Sequence, residues 1–218
     1  MSTAAMPRPT LWGGEIATIE KKPELLQMEG ISAETINNHW KLYEAYVGKW
    51  KAIEEQLKGT DLASANQIYS DWRALKTDWT FAVGGVKNHQ LYFSNLGGDG
   101  SAPTGKLGQY IDAEWGSYDA WKADLKATGM AGRGWAWLAY DWETGRLANY
   151  LGDAQNTYPV WSATPLVALD VYEHAYWADF GTDRAGYIDA FLANLDWGWI
   201  EQHAEATGIL NGAWYDQR

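Results

Sequence analysis

The sequence predicts an α+β fold: a helical N-terminal half, then a C-terminal half that mixes helices with a small antiparallel sheet. Three observations predict it. Apolar residues recur at spacings of four and three along Ile36, Trp40, Tyr43, Val47 and Trp50, the signature of one helix face. The run GWAWLAYDWETGRLANYLGD reads as two strands around a turn at Glu143–Gly145. Between the halves lies GGDGSAPTG, residues 97–105, the best linker candidate in the chain. The expected division is an arm over 1–30, a helical region over 31–98 and an α/β region over 99–218.

The arm carries few periodic signals and reads as extended or irregular. The first helix is expected from Ser32 to Leu57, with Ser32 as N-cap, Glu34 favouring the helix dipole in the first turn and Gly59 ending it. A second helical region, with breaks, is expected over Asp61 to Asn95, stopped by Gly97 and Gly98. Gly84 and Gly85 inside it would each cost about 1 kcal/mol relative to Ala. Such a pair points to another backbone or a bulky side chain passing close by. Further helices are expected over Lys106–Glu114, Ser117–Thr128, Ala185–Asn194 and Trp197–Ala206, and a third strand in PLVALDVY, residues 165–172.

Composition narrows the function. Of 218 residues 46% are apolar, and 15 Trp with 13 Tyr imply a dense aromatic interior whose N–H and O–H groups need partners. A formal net charge of −11 argues against nucleic acid as the main partner, although a cleft can still draw in a small anion. There is no cysteine, so a metal would be held by nitrogen and oxygen. The start, MSTAAMPRPTLWGG, lacks the charged and apolar runs of a signal peptide, and no stretch has the uninterrupted apolar length to span a membrane. The expected location is the cytoplasm.

The chemistry-bearing residues are few. The histidines are His39, His89, His174 and His203, and three of them lie in aromatic-rich segments. Asp170 ends an apolar run four residues before His174, in LDVYEHAY. A carboxylate there is costly to bury unless paired or bound to metal. It could cap the following helix, pair with an arginine, or share one ion with His174. With His39 and His89 on two facing helices, three imidazoles and one carboxylate would suit iron, manganese or zinc. A hydrolase or oxygenase on such a site would want further polar groups for a larger substrate. His203 reads as a surface helix residue. No G-x-S-x-G nucleophile elbow is present. GSAPTGKL has the glycine–lysine spacing of a P-loop but places Leu107 where the hydroxyl belongs, so it reads as linker. Glu54 and Glu55 read as a solvated helix face.

Several segments resemble the iron/manganese superoxide dismutase family, in order, across roughly residues 30–205: ISAETINNHWKLYEAYV, KNHQLYF, GSYDAWKADL with GRGWAWLAYD, and LDVYEHAYWADF. The resemblance implies a helical hairpin packed on an α/β region with a three-stranded sheet. It implies one iron or manganese ion per chain, held by His39, His89, Asp170 and His174. Trp135 and Trp137 become site-wall aromatics, and Tyr172 stands where the signature has Trp. The implied activity is disproportionation of superoxide as the metal alternates between 3+ and 2+. A homodimer or dimer of dimers is implied, with Glu173 contacting the partner subunit. A non-catalytic protein on the same fold is the rival reading.

The departures from the family pattern bear on the second half of the site. The gateway Tyr usually lies eight residues after the first His, but Tyr46 lies seven after His39. The expectation is that a one-residue bulge of the family helix is missing here, so that Tyr46 keeps the face of His39. The usual second His of this helix is absent, with Leu42 and Tyr43 in that stretch, and Trp177 replaces a Tyr near the interface. The glutamine that bonds the solvent at the metal comes in iron-type members from the position of Gly85. In manganese-type members it comes from the sheet side, near AQNTYP, which makes Gln155 the first choice and Asn156 the alternative.

Overall fold

A long helix opens the fold because Ser32 is extended and its side chain accepts a hydrogen bond from the Thr35 amide, satisfying one orphan donor of helix α1 (Ala33–Gly59). Helix α2 (Asp71–Asn95) starts in the same way, with Ser70 accepting from the Arg73 amide. The computed structural model describes residues 17–157 and 160–211. The two helices lie against each other, and residues 61–70 between them hold only a short turn, Leu62–Ser64. The second helix thus begins ten residues later than its sequence pattern suggested, because Asp61, Asn66 and Ser70 bond to nearby main chain and hold turns instead of a helix.

After the linker come α3 (Lys106–Trp115) and α4 (Tyr118–Ala131), the latter capped by Ser117. Strands β1 (Trp135–Asp141), β2 (Arg146–Gly152) and β3 (Ala163–Asp170) form an antiparallel sheet in the order β2-β1-β3. β1 is central and buried from Trp135 to Tyr140, as expected for a strand covered on both faces. The third strand starts two residues before and ends two residues before its expected bounds. Pro165, expected as its first residue, therefore lies inside it, tolerated because β3 is an edge strand and because Pro165 pairs at an irregularity between Leu138 and Ala139. In this register Asp170 lies opposite Trp135. A short helix α5 (Trp177–Phe180), not foreseen from the pattern, precedes α6 (Arg184–Ala193) and α7 (Trp197–Ala206).

One apolar core runs from α1 and α2 through the sheet to α6 and α7. The described part of the arm is not loose. Leu25 is buried, and the Lys22 ammonium bonds the Ser94 and Leu96 carbonyls and the Asp196 carboxylate. Residues 1–16, the other part of the expected arm, lie outside the described residues. Among the described residues no helix is long and apolar enough to cross a membrane.

Candidate metal centre

His39 and His89 belong to facing turns of α1 and α2, and Asp170 ends β3, where the Val171 amide turns back to the Gly134 carbonyl. His174 lies in the single turn Glu173–Ala175 that follows. Four elements from three separate parts of the sequence deliver one donor each, and these four ligand atoms lie within 4.8 Å of one another. The Asp170 Oδ2 is 3.1 Å from His39 Nε2, 3.1 Å from His174 Nε2 and 3.7 Å from His89 Nε2. Two donors that share one ion at about 2.1 Å stand roughly 3–4 Å apart, so the cluster has the size of a mononuclear site.

The unpaired atoms make the stronger test. His89 gives its Nδ1 to the Gly85 carbonyl at 2.6 Å, and its buried Nε2 has no hydrogen-bond partner. That fixes the tautomer in which Nε2 offers a lone pair, the arrangement of a metal-ligating histidine. Leaving such an atom unpaired costs about 1–3 kcal/mol in a buried site unless a ligand uses it. The buried donors therefore fit an iron or manganese ion in chemistry as well as in size.

Electrostatics point the same way. Burial pushes the His89 imidazole down to about 3, helped by the neighbouring His39, and burial also lowers His39. Both rings are thus neutral, the state a metal requires. Burial alone would raise Asp170, but His174 and His39 outweigh it and hold the carboxyl well below its usual range. His174 is raised, since Asp170 outweighs the effect of its partial burial.

Around this cluster the aromatic side chains form a wall. The Trp135 ring lies 5.2 Å from His89, with Tyr92 and Phe93 against His39 at 4.7 and 5.1 Å. Trp137 stands one ring further out, stacked on Trp135 at 6.3 Å, and donates its indole N–H to Asn88. Tyr172 stacks on the His174 ring at 5.3 Å. Helix α1 is continuous through the spacing of seven, and the Tyr46 ring sits 5.3 Å from His89. Burial, helped by the Asp170 charge, raises its hydroxyl above the usual phenol value, with the neighbouring Gln155 side chain opposing the rise. Gln155 is buried and its Oε1 accepts the Trp135 indole N–H at 3.0 Å, so its amide nitrogen is the group left to turn towards Tyr46. Asn156 points elsewhere, to Thr80 at 2.8 Å.

The glycine pair of α2 is explained here. A Cβ on Gly84 would stand 2.0 Å from the Gln155 carbonyl, and one on Gly85 2.7 Å from the Tyr46 ring. One glycine thus admits a backbone and the other a bulky side chain, the two close approaches the sequence pointed to. Glu173 is exposed beside His174, and Trp177 is 55% exposed. His203 is not part of this group. Its ring stacks on Trp199 at 5.0 Å, so it is half-buried instead of on the surface. Asn88 and Asn95 were missed by sequence reading. An asparagine beside a histidine or at a helix end carries no signal by itself.

The profile of iron/manganese superoxide dismutases, C-terminal domain, matches residues 103–203. The iron superoxide dismutase of Aquifex pyrophilus is 42% identical over 190 residues, covering 84% of this chain and 88% of the relative. That of Aquifex aeolicus is 41% identical over the same length. A manganese superoxide dismutase of Haloferax volcanii is 35% identical over 156 residues, 71% of this chain and 77% of the relative. The chain belongs to the iron/manganese superoxide dismutase family. As family members named for iron and for manganese both match, the comparisons leave the metal as one of these two. The N-terminal helices and the three-stranded antiparallel sheet conform to the family fold.

Proposed function

We infer that this chain is a superoxide dismutase holding one iron or manganese ion with His39, His89, His174 and Asp170. The observation that carries the reading is the convergence of three imidazoles and one carboxylate around a buried, unpaired nitrogen. When bound, the ion supplies one-electron chemistry: through its 3+ and 2+ states two superoxide anions and two protons become dioxygen and hydrogen peroxide. Asp170 contributes the one negative charge of the set. The Gly85 carbonyl orients the His89 ring. Tyr46, kept protonated by burial, offers a hydroxyl proton at the edge of the site, and Gln155 holds that hydroxyl in place while its own oxygen is anchored by Trp135. The aromatic wall keeps bulk water and larger molecules out, which suits a substrate of two atoms.

A second copy of the chain completes the proposal. Glu173, His174 and Trp177 are exposed together at the mouth of the centre, and a homodimer, alone or as a dimer of dimers, would cover them. The experiment is metal content by mass spectrometry with dismutation activity, on the wild type and His174→Ala. About one iron or manganese per chain, with activity lost in the variant, is the expected result. A well-folded wild type that takes up neither metal and shows no activity would leave a non-catalytic protein on this fold.

A further inference from the structure

The four donors come from two layers, the α1–α2 pair and the end of the sheet, so something must set one layer against the other. Apolar contacts hold such layers together but are non-directional and do not choose a register. Asn95, in the last turn of α2, does. Fully buried, its Oδ1 accepts from the Ala168 amide at 2.8 Å and its Nδ2 donates to the Leu166 carbonyl at 3.1 Å. Both groups face the free edge of β3, because the sheet runs β2-β1-β3. The carboxamide thus stands where a fourth strand would place its own N–H and C=O. Its main chain is held too: the Asn95 carbonyl accepts from the Asp196 amide at 2.6 Å, and Leu96 bridges to Leu195.

We propose that Asn95 is a positioning residue for the metal centre, fixing α2 against β3 and so the separation of His89 from Asp170. The proposal rests on the metal-binding reading given above. His89 lies six residues earlier on α2, about 9 Å along a helix. Asp170 lies two residues beyond Ala168, about 7 Å along a strand. Both spans are regular hydrogen-bonded structure, so a displacement at Asn95 is carried to the two donors with little loss.

The test uses Asn95→Gln, which keeps both bonding groups on a longer arm, and Asn95→Leu, which removes them. Ile53→Ala serves as a control for lost stability, since Ile53 belongs to a separate apolar cluster with Leu57 and Ala82. Each protein is loaded with iron or manganese and studied well below its melting temperature. The readouts are metal affinity by chelator competition and the electron paramagnetic resonance spectrum of the bound ion. Both Asn95 variants are expected to bind metal about tenfold or more weakly, as typical for partners that orient ligands, and to show an altered spectrum. Ile53→Ala is expected to keep the wild-type affinity and spectrum. If Asn95→Leu does not fold, Asn95→Gln decides alone. Wild-type affinity and spectrum in the folded Asn95 variants, or an equal loss in Ile53→Ala, would overturn the proposal. A wild type that binds neither metal would overturn the metal reading itself.

Discussion

The two ends of the α1–α2 pair are built from the same kinds of residue and differ in how their polar groups are satisfied. At the outer end, Glu54 accepts the indole N–H of Trp50 at 2.7 Å and of Trp79 at 3.1 Å, and Lys76 lies 4.6 Å over the Trp79 ring. Glu54 is therefore half-buried among tryptophans and not the solvated residue its sequence context suggested, while Glu55 is exposed and meets Lys58. At the inner end, His39 and His89 are fully buried among aromatics, yet His89 Nε2, 3.7 Å from the Asp170 carboxylate, has no hydrogen-bond partner. A structural cluster pairs its polar atoms, because an unpaired one is costly. A centre made for a ligand keeps one in reserve.

That contrast can be broken or sharpened by substitution. The largest effect is expected at Asp170→Asn, which removes the one charge of the centre. Metal content should fall below a tenth of an ion per chain and dismutation should drop beyond the roughly 100-fold seen when outer partners are removed. Retained metal would show that the inner end is held by packing alone. Next is Gln155→Leu, which leaves the buried Trp135 indole without its acceptor. Urea unfolding should show a loss of about 1–3 kcal/mol, and activity should fall while metal is kept. Glu54→Leu should cost about 1–2 kcal/mol in the same measurement, with metal content and activity at wild-type levels. A loss of metal there would erase the distinction between the two ends.

The smallest effect concerns Tyr150, whose ring lies tilted against Trp137 at 5.1 Å and whose hydroxyl is pushed up to about 12 by burial. An unfolded tyrosine ionises near 10, so the stabilising contribution of the protonated phenol is complete below that pH. It is lost as pH rises from about 10 towards 12, where the unfolded chain gives up its proton first. Tyr150→Phe should flatten the fall in stability over that range by about 1 kcal/mol, read from urea midpoints at pH 9 and 11. An unchanged slope would place the alkaline sensitivity in the buried Tyr92 and Tyr187, which are raised by the same cause.

Much of the fold could be read from local pattern. The stripe from Ile36 to Trp50, the turn at Glu143–Gly145 and the helix Trp197–Ala206 all rest on periodicity or turn chemistry, which neighbours in sequence carry between them. The start of β3 could not be read, because Pro165 is disfavoured in most strands and is allowed only by an edge and a register irregularity. The packing of Leu25 and the contacts of Lys22 were hidden for a similar reason: Lys22 bonds groups 72, 74 and 174 residues away.

The centre divides in the same way. By itself the sequence determined which donors exist, that none of them is a thiol, and that Gly84 and Gly85 admit something close. Motifs in the right order named the family. Only the tertiary structure decided that residues 39, 89, 170 and 174 meet within 4.8 Å, that Gln155 and not Asn156 faces Tyr46, and that His203 stays apart. Meeting depends on how α2 sits against β3, and that register is set by contacts such as Asn95 with Leu166 and Ala168, more than 70 residues apart. Periodicity is a property of neighbours along the chain, whereas a site made of distant residues exists only once the layers have been docked.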